Sequence, residues 1–134
     1  MLTIKKEGII LKKTNAGFEN DGVLNPTVIK NGENTHLFYR ALRKGNYSSI
    51  GYCKLKNYTS VEDRLNIPVI FPLFEYEKID IEDQRIITVD DAFFLINTTN
   101  DFKTENIYPD IAIPINASPL KCVITNYSKL YFSI

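Results

Sequence analysis

The sequence predicts an all-β protein built of antiparallel meanders, and three observations carry that prediction. No window keeps apolar residues at helical spacing over several turns. Short runs rich in β-branched and aromatic residues recur along the chain. Gly, Asn and Asp stand between those runs, at the places where tight turns form.

Thr27 to Ile29 and His36 to Ala41 flank Lys30-Asn31-Gly32-Glu33-Asn34, so a first hairpin is expected, with Asn-Gly supplying positive backbone angles. Ser49 to Leu55 sets Ile50, Tyr52 and Leu55 against smaller or polar residues after the turn Lys44-Gly45-Asn46, which adds a third strand. Asn66 to Glu77, interrupted by Pro68 and Pro72, reads as an extended connection between sheets. Arg85 to Val89, the turn Asp90-Asp91 and Ala92 to Thr98 form a second hairpin. A third is expected over Cys122 to Thr125 and Leu130 to Ile134. Between these, Thr104 to Pro119 holds Pro109, Pro114 and Pro119 and reads as a long loop. The first two hairpins open alike, with Asn25-Pro26-Thr27-Val28-Ile29 and Asp83-Gln84-Arg85-Ile86-Ile87. Such repeated units suggest propeller blades, although the spacing between them reads as irregular.

Composition removes several classes of function. Sixteen Lys and Arg balance 16 Asp and Glu, which leaves no broad basic face for a nucleic acid. The longest apolar run, Ile67 to Phe74, is far shorter than the ~20 residues that cross a bilayer, so no membrane span is expected. Charge arrives at Lys5, and with no apolar leader the cytoplasm is the expected compartment. Cys53 and Cys122 have no paired spacing and read as buried strand thiols. His36 is the sole histidine, so no metal site is expected.

Several short segments occur in an order that carries more information than any one of them. They are Glu7-Gly8-Ile9-Ile10-Leu11, Phe18-Glu19-Asn20, Gly22-Val23-Leu24-Asn25-Pro26, His36 to Ala41 and Gly45 to Tyr52. They continue with Glu62-Asp63-Arg64, Pro68 to Pro72, Tyr76-Glu77 and Glu82-Asp83-Gln84-Arg85-Ile86. Together, over Ile4 to Asp101, the chain resembles the opening of glycoside hydrolase family 130, the inverting β-mannoside phosphorylases and related glycosidases. The resemblance implies a partial five-bladed β-propeller, one domain over residues 1–134 holding about two blades, with residues 104–134 poorly matched.

The same resemblance implies a chemistry. Asp83 matches the Asp of the family's Glu-Asp-Pro-Arg element, which protonates the glycosidic oxygen through a sugar hydroxyl while inorganic phosphate attacks the anomeric carbon. Expelling an uncatalysed alkoxide is slow, and general acid catalysis contributes on the order of 100-fold to 10,000-fold. Burial and the neighbouring charge of Glu82 are expected to favour the protonated carboxyl. Asn25, Arg40, Ser49 and Asp101 fall in segments that face the sugar, and the amide, guanidinium and hydroxyl groups among them suit sugar oxygens. A loop-capping role for Asp83, and turn, ion-pair or hairpin-capping roles for Asn25, Arg40 and Ser49, remain open on the residues alone.

The implied partner is a β-mannoside oligosaccharide, with inorganic phosphate as co-substrate and no other cofactor. Three departures bear on this reading. Gln84 stands where the family has Pro, and Asn100 and Phe102 replace the Tyr and Gly of a Thr-Ala-Tyr-Asp-Gly segment. Lys103, Lys121 and Lys129 are the cations after Arg85, and their surroundings match no phosphate clamp. A sugar-binding module without turnover, or a β-module that self-associates into a homo-oligomer, are the competing expectations.

Overall fold

A computed structural model describes residues 2–72, 81–89, 92–101 and 106–114. All regular structure among them is β-strand, in two antiparallel sheets. The first holds β1 (Gly22–Asn31), β2 (Asn34–Arg43), β3 (Tyr47–Lys56) and β4 (Ser60–Arg64), adjacent in chain order. The second holds β5 (Ile81–Val89), β6 (Ala92–Asp101) and β7 (Asn106–Pro114). The all-β meander is thus the observed architecture, and no described helix is long and apolar enough to cross a membrane.

β2 is apolar on successive residues because both of its faces are covered. Phe38 points with Ile50 of β3 toward the second sheet, where Ile81 and Leu95 complete a cluster with Ile70. Leu37, Tyr39 and Ala41 point the other way with Cys53 and Leu55, and the segment before β1 covers them with Leu11 and Phe18. Burying each such large side chain contributes about 1.5–3 kcal/mol relative to leaving it exposed. The connection after β4 docks on β3, where Val69 N–H donates to the Ile50 carbonyl at 2.8 Å and Ile50 N–H to the Ile70 carbonyl at 2.9 Å.

Turn chemistry follows the sequence with one shift. At the β1–β2 hairpin the positive angle falls on Gly32 (φ 58), and Asn31 stays in the strand. The β2–β3 turn uses Gly45 (φ 94) and Asn46 (φ 60), as expected.

Two strands depart from the sequence reading. β7 occupies ground expected to be a loop. Among the described strands it is the outer one of its sheet, and a proline, which has no N–H to give the ladder, is tolerated in such a place. β4, Ser-Val-Glu-Asp-Arg, gave no apolar signal because it is an exposed edge held mainly by backbone pairing to β3. The hairpin expected over Cys122 to Ile134, and the turn Asp90-Asp91, lie outside the described residues.

The two hairpins share one register, which the sequence alone did not reveal. Each partner pair of β5 and β6, from Ile81↔Thr99 to Val89↔Ala92, repeats a pair of β1 and β2 at the 58-residue separation of Asn25 and Asp83. The two hairpins are therefore in step, with turns of equal length.

Candidate functional site

The repeat extends to a defect in the ladder. β1 bulges between Leu24 and Thr27, where Asn25 and Pro26 stand opposite Tyr39 alone, and β5 bulges between Glu82 and Arg85, where Asp83 and Gln84 stand opposite Asn97 alone. Bulges re-aim side chains and recur at functional sites. Asn25 (φ 43) and Asp83 (φ 50) both take the left-handed conformation, which costs most residues roughly 1–2 kcal/mol and Asn or Asp less.

The two bulges face each other across the sheets. Asn25 Nδ2 donates to Asp83 Oδ1 at 3.0 Å, on the exposed surface. Behind them Gln84, 3 % exposed, sends its Nε2 to the main-chain carbonyl of Asn25 and, at 3.4 Å, to that of Phe38. Asn25 is therefore held at both its side chain and its carbonyl. Gln84 Oε1 and Asn97 Nδ2, both buried near this bulge, have no partner among the described residues.

Arg40 joins the same place. It pairs across β1 with Leu24, next to the bulge, and its guanidinium forms an ion pair with Glu82, a largely buried contact. This corrects the expected electrostatics of Asp83. The Asp83 side chain is exposed and the Glu82 carboxylate is engaged by Arg40, so the expected burial and uncompensated like charge are both lacking. Asn25, Arg40 and Asp83, three of the residues singled out from sequence, thus meet around one pair of bulges. Glu82 and Gln84 belong with them in ways the sequence did not indicate: Glu82, expected only as a like charge beside Asp83, is the ion-pair partner of Arg40, and Gln84, noted as a departure from the family's Pro, reaches the Asn25 carbonyl.

Ser49 and Asp101 lie elsewhere. Ser49, 7 % exposed, pairs with Ala41 and borders a cleft of about 350 Å³ shared with Phe18, Arg43, Tyr47 and Phe71. Arg43 stacks over the Tyr47 ring there at 4.6 Å. The adjacent Ser48 accepts from Ile81 N–H at 3.1 Å and donates to the Ile81 carbonyl at 3.0 Å, tying β3 to the start of β5. Asp101 ends β6, paired through its backbone with Asn106, and its side chain lies outside the described residues.

A second polar cluster sits on the opposite face of the first sheet. Glu19, 1 % exposed, accepts from Tyr39 Oη at 2.7 Å, from Arg64 Nη2 at 2.7 Å and from Thr14 Oγ1. Arg64 also donates to Tyr39 Oη at 3.1 Å and to the Lys12 carbonyl at 2.9 Å. Burial and the bond to Glu19 hold the Tyr39 phenol well above its usual range. Every charge here is satisfied within the protein, so the cluster fastens residues 12–19 to β2 and β4. Burial pushes the nearby Cys53 thiol up to about 11, as befits an inert core thiol. Among the described residues no three His, Cys, Asp or Glu side chains group in a way that would hold a metal ion.

No family model matches the sequence, and no curated protein does. Among solved structures the chain is similar to a glycosyl hydrolase from Bacteroides ovatus, with a TM-score of 0.59 and 20 % identity. The likeness is one of fold. It covers 77 % of this chain and 34 % of that one, so the chain spans about a third of the length of the structure it matches.

Proposed function

We propose that this chain forms the proton-donor side of a glycosidase-like site for β-mannosides, within a five-bladed propeller of which the two sheets are blades. The observation that supports this most is the meeting of Asn25, Arg40 and Asp83 at two bulges in identical register, on a fold shared with a glycosyl hydrolase. In this reading Asp83 delivers the proton toward the glycosidic oxygen. Asn25 orients it, since an amide donating to one carboxylate oxygen leaves the other directed at the ligand. Arg40 holds sugar hydroxyls beside Asp83, Ser49 contributes from the separate cleft that it borders, Asp101 supplies a further sugar contact, and a bound sugar covers the exposed Asp83 side chain.

In an inverting displacement the donor and the nucleophile act from opposite sides of the scissile bond. Phosphate attack further requires positioned cations, whose loss removes several kcal/mol of transition-state stabilisation. Lys103, Lys121 and Lys129 follow Arg85 without a recognisable clamp, so these residues alone are proposed to bind the sugar without turning it over.

Calorimetric titration with β-1,4-mannobiose, and with cellobiose as a control, tests the proposal. Mannobiose binding is expected for the wild type and is lost in Asp83→Ala and Arg40→Ala. Equal binding by both variants would sink it. Steady mannose 1-phosphate formation that disappears in Asp83→Asn would mean that the phosphate side is present too.

A further inference from the structure

The blade-like hairpins solve one local problem with two different residues. After left-handed Asn25 the first bulge continues with Pro26, whose ring fixes a torsion; after left-handed Asp83 the second continues with Gln84. A bulge leaves backbone groups out of the ladder. The Gln84 side chain lies buried and donates to two main-chain carbonyls of the other sheet, those of Asn25 and Phe38. Asn25, held this way through its carbonyl, donates its own side-chain amide to the residue immediately before Gln84, at Asp83 Oδ1. The result is a closed loop of contacts: Asp83 to Asn25 through side chains, Asn25 to Gln84 through a carbonyl, and Gln84 back to Asp83 through the chain.

We infer that Gln84 is a positioning residue that aims the Asp83 carboxyl by clasping the opposite bulge, the task that a proline's fixed torsion performs after Asn25. This inference rests on the reading of Asp83 as the proton donor, but its geometry can be tested apart from that reading. Methionine at 84 keeps the length and flexibility of glutamine and removes both donors. Proline at 84 removes the donors and restores a fixed torsion, and Pro26 shows that a proline is tolerated after a left-handed residue in this register.

The test compares wild type, Gln84→Met and Gln84→Pro by the side-chain amide resonances of Asn25 in 15N–1H spectra, and by the Kd for β-1,4-mannobiose. In Gln84→Met the Asn25 amide is expected to move to the position of a solvent-exposed asparagine while backbone signals of β2 and β3 stay in place. In Gln84→Pro it is expected to stay near its wild-type position. Mannobiose affinity falls about five-fold in the methionine variant, the worth of roughly one hydrogen bond, and changes less than about two-fold in the proline variant. An unmoved Asn25 amide in Gln84→Met overturns the inference, as does its equal displacement in Gln84→Pro, which also decides the matter if the methionine variant does not fold. Should the wild type fail to bind mannobiose, the proposed function fails, and the Asn25 resonance still decides what Gln84 does.

Discussion

Replacing Glu19 with Ala removes the acceptor at the centre of the Thr14, Tyr39 and Arg64 cluster. Three hydrogen bonds disappear together, two of them from groups that have little access to water. Arg64 retains the Lys12 carbonyl and Tyr39 Oη, but its charge is left unpaired with the side chain only 17 % exposed. Removing one partner of a buried ion pair costs about 3–5 kcal/mol, and the residual exposure of Arg64 places the expected loss near the lower end, at about 3 kcal/mol. For a domain of this size about 4 °C per kcal/mol then gives a fall in Tm of about 12 °C. Glu19→Gln keeps the shape and an acceptor but no charge, and is expected to lose about 1–2 kcal/mol. Thermal and urea melts followed by circular dichroism measure both, and limited trypsin digestion reads the release of the segment carrying Lys12 and Lys13. If Glu19→Ala lies within about 1 kcal/mol of wild type and is digested no faster, the cluster does not fasten that segment and the reasoning fails.

Gly51→Ala tests the same region from the other side. An added Cβ would lie 2.6 Å from Tyr39 Oη, inside contact distance of a ring pinned by Glu19 and Arg64, so a loss of about 1–3 kcal/mol is expected in urea melts, and no loss would show that Tyr39 is free to shift. His36, stacked on Tyr52 and sharing a 2.8 Å hydrogen bond with its hydroxyl, has its pKa lowered by burial and then by Lys54. The unfolded chain therefore binds the proton more readily, so this contribution is complete above about pH 6.5 and is lost as pH falls through the folded value. The urea midpoint should decline between about pH 7 and 5.5 and decline less in His36→Gln; equal declines would remove His36 from the account.

Much of the fold was legible because turns and strands leave local marks. Gly32, Gly45 and Asn46 mark their hairpins by the backbone angles those turns need, and the runs around Phe38, Ile50 and Leu95 mark strands by their content of β-branched and aromatic residues. β4 was illegible because an exposed edge strand needs no apolar face. β7 was illegible because Pro109, Pro114 and Pro119 together suggest a loop, whereas a strand that is outermost among the described ones accepts the two that fall within it, Pro109 and Pro114. The site was legible in its members and not in its connections. Asn25, Arg40 and Asp83 could be singled out, but the Arg40–Glu82 pair and the clasp of Gln84 on Asn25 join residues of different sheets, and no local pattern encodes such a contact. The 58-residue offset between the hairpins emerged only from the register of the paired strands, because the paired positions share a place in the ladder and few share a residue type.

The most direct test of the central claim is a map of 15N and 13C shift changes, Asn25 side-chain amide and Asp83 carboxyl included, as β-1,4-mannobiose is added to the labelled chain. The account predicts saturable changes centred on Asn25, Arg40 and Asp83, with the Glu19, Tyr39 and Arg64 cluster unmoved. Changes confined to that cluster, or no saturable change at the two bulges at millimolar sugar, would contradict it.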